Sequence, residues 1–279
     1  MSKEMRKLLL IQLALTLLAG CRPPGQPQEP ANQLNVVRKA WLFAYPQFEH
    51  DAVVFGKFLR SLSYDVSIYS GEAFTESQVR WIFKMLREQP VPVPQSPGDG
   101  VALIYFTTHG GRMIDAPPRD ESDGLDEYLV TGCEEEITDD ELAEFGRTLV
   151  PTCIIIDACY SGGMYKATHK SGGESWAEGI IDKRVYPADI LIPPNYAIMA
   201  SSQPEEISWG PFGPYDTSLF TYCLHHAMDQ LAWSSQVFVV AASQTRRLSG
   251  GKMNPCMESS GEPLLIGNLL AIDIGESDE

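Results

Sequence analysis

Two stretches of this chain are apolar at nearly every consecutive position: VALIYFTT at 101–108 and CIIID at 153–157. A strand with one wet face alternates polar and apolar residues. A strand that is apolar throughout is covered on both faces. Two such strands confine the chain to an α/β plan, with helices shielding both faces of a mostly parallel sheet. The rest of the pattern agrees. Strand-like runs at 36–45, 64–69, 195–202 and 262–267 alternate with helical spacing over 48–62, 75–88, 138–149, 216–231 and 235–243. Thr75 and Gln78 have capping-box spacing, and Asp216 or Thr217 is expected to cap the helix that begins at 216.

In sheets of this kind, function collects at the carboxyl ends of the strands. Both apolar strands reach that end in a glycine-rich turn, THGG after the first and DACYSGG after the second. Long loops at 109–137 and 160–194 leave from the same ends, and loops of that length in a compact domain are functional or disordered. If the two strands are neighbours, His109 and Cys159 emerge together. An imidazole beside a thiol raises its thiolate fraction or takes its proton during attack. The backbone N–H groups of Gly110 and Cys159 are candidate oxyanion donors. The Ser161-Gly162-Gly163 turn is read as clearing room for substrate. Taken singly, a cysteine is usually a small buried hydrophobe and a histidine a hydrogen-bonded side chain. It is their shared place, where strand becomes glycine-rich loop, that points to nucleophile and base.

The amino terminus is of a different kind. MSKEMRK is basic, LLLIQLALTLL is too short an apolar run to span a bilayer as a mature helix, and LAGC follows at once. This is the layout of a secretory signal over 1–20. Its ending resembles a bacterial lipobox, in which Cys21 becomes the lipidated first residue, and that implies export and lipid anchoring to a bacterial membrane. Residues 21–35, rich in Pro and Gln, read as a tether, and 36–279 as one folded domain. The chain has 21 Lys and Arg against 37 Asp and Glu, a net charge of −16. Such a surface repels nucleic acid and attracts basic peptides, so membrane association falls to the lipid anchor alone. The six cysteines show neither metal-finger spacing nor a dense disulfide framework.

IYFTTHGG and IIIDACYSGG resemble the two catalytic blocks of the caspase-like cysteine peptidases, whose His lies about 50 residues before the Cys, as His109 does before Cys159. Among them the metacaspases fit best, because DESDGLDEYLVTGCEEEITDDEL resembles their acidic segment between His and Cys. HDAVVFGKFLRSLSYDV resembles their first helix and second strand, and YAIMASS and TSLFTYCLHHA their later strand and helix. The resemblance runs from about residue 36 to 267. It implies the caspase-like three-layer α-β-α sandwich and peptide hydrolysis through an acyl-enzyme, with His109 as general base and Cys159 as nucleophile.

Charge then suggests specificity. Asp157 stands two residues before Cys159, on the same side of an extended strand. Asp51 occupies the family's other acidic pocket position. Two carboxylates in one pocket favour a guanidinium or ammonium group, so cleavage after Arg or Lys is expected. Asp51 is also explained as an acid at a helix amino terminus. The chemistry requires no cofactor. The resemblance places Asp126, Asp139 and Asp140 at calcium-ligand positions, with Ca²⁺ as an activator. The chain departs from the family after the nucleophile, where Lys166 lies near the place of a further acidic ligand. The same acids also suit the start of a helix. Two alternatives stay open: a legumain-like peptidase cleaving after Asn or Asp, and a non-catalytic caspase-like binding lipoprotein.

Overall fold

The computed structural model describes residues 38–88, 101–115, 124–145, 150–164, 196–260 and 263–268. The expected leader at 1–20, Cys21, the expected tether at 21–35 and Lys166 lie outside the described residues.

Six strands form the main sheet: β1 (Arg38–Ala44), β2 (Tyr64–Ser70), β3 (Ala102–Thr107), β7 (Thr152–Asp157), β8 (Tyr196–Ala200) and β9 (Cys256–Ser260). Their order is β2-β1-β3-β7-β8-β9. Every pairing is parallel except β8 with β9. The two runs that are apolar throughout become β3 and β7, neighbours in the middle of the sheet and buried at every position. Alternate side chains feed two cores. On one face Tyr105, Cys153 and Ile155 pack with α1 (Glu49–Ser61), α4 (Leu219–Gln230) and α5 (Ser234–Leu248). On the other, Ile104, Phe106, Ile154 and Ile156 pack with α2 (Glu76–Glu88) and α3 (Asp139–Phe145). This is the expected three-layer sandwich with a mostly parallel sheet. The Thr75 cap of α2 forms, its Oγ1 accepting from the Gln78 N–H at 3.0 Å.

Three local expectations change. Part of 109–137 is not loop but a second sheet, β4 (Gly110–Ile114), β5 (Leu125–Val130) and β6 (Glu136–Thr138), antiparallel in that order. The cap of α4 is Ser218, whose hydroxyl accepts from the Thr221 N–H, and neither Asp216 nor Thr217 has that role. The sixth strand is β9. Within 263–268, only Leu265 makes a lone bridge, to Trp233. There the carbonyls that a strand partner would take are held by the buried Arg38, at 3.1 Å from Leu265 O and 2.8 Å from Gly267 O.

Candidate active site

β3 and β7 run in register, with Thr107 paired to Asp157. His109 and Cys159, each two residues further on, therefore leave the sheet at the same end. The turns they belong to are in contact. A Cβ added to Gly110 would lie 2.0 Å from the carbonyl oxygen of Cys159, so only glycine lets the two backbones approach this closely. Both side chains are partly exposed. Among the described residues no hydrogen bond joins them, which is common before substrate arrives. The imidazole is held edge-on by two rings, Tyr45 at 4.8 Å and Phe48 at 5.0 Å between centroids. The Tyr45 hydroxyl donates to Glu134 at 2.6 Å, which fixes that ring in turn. Neither aromatic was marked by any motif, because both lie in the turn after β1, far from His109 in sequence.

The Cys159 turn is braced from below. The hydroxyls of Ser201 and Ser202 each donate to Ala158 O at 3.2 Å, and Ser161 Oγ joins them at 3.3 and 3.2 Å. Tyr160 adopts φ +60°, a left-handed conformation that a non-glycine residue holds only when its surroundings enforce it. Its N–H donates to Glu206 O at 2.8 Å. Gly163 does not clear room for substrate. A Cβ there would sit 2.0 Å from the carboxyl carbon of Glu127, so this glycine lets the turn pack onto β5.

Asp157, the last residue of β7, turns toward the α1/α4 face, where it meets Asp51 from the first turn of α1. Both are nearly buried, 3% and 5% exposed. Asp157 accepts from Ser208 Oγ at 2.7 Å, from Thr221 N at 3.2 Å and Oγ1 at 2.7 Å, and from the Ser218 hydroxyl. Asp51 accepts from Ser218 N at 3.0 Å and Thr107 Oγ1 at 3.4 Å. Beneath them Tyr105 OH lies 2.6 Å from Thr221 Oγ1, its phenol pushed well above the usual range by burial and then by the two acids. Burial, then the charge of Asp157, lifts Asp51 to about 6. Neither acid forms an ion pair among the described residues. The structure thus brings Asp51 and Asp157 together and surrounds them with hydroxyls, which the sequence did not single out. Only the DTS sequence before α4 hinted at such donors.

The third predicted group is less unified. Asp126 on β5 and Asp139 at the start of α3 are buried, while Asp140 is exposed. Burial first, then the charges of Asp140, Glu127 and Asp126, push Asp139 up to about 8. Among the described residues no three His, Cys, Asp or Glu side chains converge on a point suited to a metal ion. Asp126, Asp139 and Asp140 therefore do not by themselves fit calcium. Next to these acids, Glu127 meets Arg112 of β4, whose Nε lies 3.7 Å from Glu127 Oε1.

The chain is similar to known proteins. Metacaspase-4 of Arabidopsis thaliana is 30% identical over 104 residues, 36% of this chain and 25% of that protein. Metacaspase-7 of the same plant is 26% identical over 165 residues, 57% of this chain and 37% of that protein. This chain thus spans well under half the length of the curated relatives it matches. The crystal structure of protein GSU0716 from Geobacter sulfurreducens superposes with a TM-score of 0.53 at 15% identity, covering 82% of this chain and 94% of that one, a likeness of fold. Residues 45–263 match the caspase-domain family as a whole, from the turn after β1 to the segment beyond β9. With the sheet, the two glycine-rich strand ends and this match in agreement, the chain belongs to the caspase-domain family of C14 peptidases.

Proposed function

We propose that this domain is a cysteine endopeptidase that cleaves after Arg or Lys. The observation that carries the reading is the juxtaposition at one sheet end of the His109 and Cys159 turns with the buried Asp51–Asp157 pair. The Cys159 sulfur attacks the scissile carbonyl carbon while His109 takes the thiol proton. The tetrahedral oxyanion is met by backbone N–H groups, with Gly110 and Cys159 as the assigned donors. Collapse forms a thioester and expels the amine, which receives its proton from His109. Water, deprotonated by His109, then releases the acid and restores the thiol.

A guanidinium or ammonium on the residue before the cut is received by Asp51 and Asp157. Arg is favoured, because its planar fork pairs with a carboxylate in two places. The hydroxyl donors around the acids fix their orientation without cancelling their charge. No step is assigned to calcium. The acidic chain as a whole suits basic peptide or protein substrates and repels nucleic acid. Export and lipid anchoring through Cys21 belong to the same proposal. Metabolic labelling with palmitate tests them, with Cys21→Ser expected to abolish label and membrane association.

The peptidase reading is tested with fluorogenic peptides that differ only in Arg, Lys, Asn or Asp before the cut. Arg and Lys peptides are expected to turn over, and Cys159→Ala to abolish turnover. Preference for Asn or Asp would return the legumain-like alternative. Binding of basic peptides without hydrolysis would support the non-catalytic one.

A further inference from the structure

We infer that Arg112 is a positioning residue for the nucleophile, tying the turn that follows Cys159 to the strand that follows His109. Its guanidinium meets three other segments at once. It lies 3.7 Å from Glu127 Oε1 on β5, donates to the carbonyl of Pro204 in the loop after β8, and sits with Cζ 4.6 Å from the centre of the Tyr160 ring. Arg112 is itself on β4, three residues after His109. One planar cation therefore spans the histidine strand, the acidic strand, the cysteine turn and the loop that carries Ser208, a donor to Asp157.

The contact with Tyr160 gives the tie its consequence. Tyr160 directly follows Cys159 and holds φ +60°. Such a backbone persists only where contacts over-determine it. Three are present, the Tyr160 N–H bond to Glu206 O at 2.8 Å, the Gly163 N–H bond to Tyr160 O at 3.0 Å, and the contact of its ring with Arg112. Glu206 is itself pinned, accepting from Asn254 N at 2.7 Å and Gln203 N at 3.1 Å. Arg112 is thus the ring-side half of a clamp whose other half is a rigid backbone acceptor. A lysine would keep the charge near Glu127, but it lacks the flat face for Tyr160 and the fixed fork that reaches Pro204 at the same time. Glu127 is almost wholly buried and packs against Gly163, so the anchor for the guanidinium is fixed too.

This inference deepens the peptidase reading and rests on it. Three readouts separate the two: turnover of an Arg peptide, melting temperature, and the rate at which iodoacetamide alkylates Cys159, followed by mass spectrometry. Arg112→Lys, which keeps a cation beside buried Glu127, is expected to lower kcat tenfold or more, with KM within about twofold and melting temperature within a few degrees, whereas Arg112→Gln should lose as much kcat and also melt lower, because Glu127 is left buried without its cation. Alkylation of Cys159 should slow, and its pH profile should move. Tyr160→Ala should reproduce the loss, and Arg112→Gln with Tyr160→Ala should be no worse than either alone, because both break one clamp. Additive losses, unchanged alkylation, or kcat falling only in step with melting temperature would overturn the inference. An inert wild type would defeat the peptidase reading instead, while the alkylation comparison would still decide the role of Arg112.

Discussion

The protein buries two groups of acids, and it treats them differently. At the end of the main sheet, Asp51 and Asp157 are met by hydroxyl and amide donors and make no ion pair among the described residues. On the small sheet, Glu127, near Asp126 and Asp139, faces the guanidinium of Arg112. Neutral donors solvate a carboxylate without neutralising it. In the proposed reading the first group keeps its charge for an outside cation, whereas in the second Glu127 has an arginine of the chain 3.7 Å away. Burial alone therefore does not separate a binding pocket from a brace. The identity of the counter-group does.

Experiments that remove charge from the first group should show the largest effects. Asp157→Asn keeps a side-chain carbonyl for the Ser218 and Thr221 donors, gives up the second oxygen that accepts from Ser208, and removes the anion. Losing one partner of a buried, hydrogen-bonded charge pair costs about 2–5 kcal/mol. kcat/KM for Arg peptides should thus fall by about 30-fold or more. A variant that cleaves Arg peptides normally would break the comparison. Asp51→Asn should weaken the same substrates by about 10- to 100-fold while raising the melting temperature. The sign follows from its folded value of about 6, above the ordinary 3.8. An acid whose pKa rises on folding stabilises the fold below its unfolded value, and that stability is lost as pH rises through about 6. Above pH 6 the buried charge opposes folding by an amount on the order of 1–3 kcal/mol, and the amide removes that burden. A melting curve at pH 8 checks this, and a lowered melting temperature would contradict it.

A gentler test uses agmatine, a small guanidinium compound that is not hydrolysed. Its affinity should be flat above pH 6 and fall by up to about tenfold per unit below it as Asp51 takes up a proton, and the Asp51→Asn variant should lose that slope. Calorimetry across pH 5–8 reads it, and the same slope in both proteins would remove Asp51 from the pocket. The smallest effect belongs to the second group. With Arg112 already beside Glu127, chelator or added Ca²⁺ should change kcat by less than about twofold. Activation of tenfold would mean that the second acidic group also waits for an outside cation.

Much of this was readable before any coordinates. β3 and β7 declared themselves because burial on both faces leaves no polar position to confuse the pattern, and His109 and Cys159 followed from where those strands end. β5 was missed for the opposite reason. Its buried positions include the consecutive acids Asp126 and Glu127, one on each face, so the apolar alternation that betrays a half-buried strand is absent. The LLIG run misled in the other direction. It is apolar because it packs, but its backbone groups bond to the side chains of Arg38, Tyr64 and Ser234 and to the backbone of Ala232 and Ser234 instead of a neighbouring strand. Asp51 and Asp157 were legible as acids in a family position. Their hydroxyl surround was not, since Ser208, Ser218 and Thr221 lie 51 to 64 residues from Asp157 and carry no motif. Arg112 and Tyr160 could not be paired from sequence, because a ring–cation contact leaves no spacing to read.

The central claim joins a nucleophile to a basic-residue pocket, and one reagent class probes both. Peptidyl chloromethyl ketones ending in Arg, Asn or Asp alkylate a cysteine nucleophile only when their last side chain is accommodated. The account predicts rapid, single-site modification of Cys159 by the arginyl compound, slow reaction with the other two, and loss of the preference in Asp157→Asn. Faster labelling by the aspartyl or asparaginyl compound, or arginyl label on a cysteine other than Cys159, would contradict it.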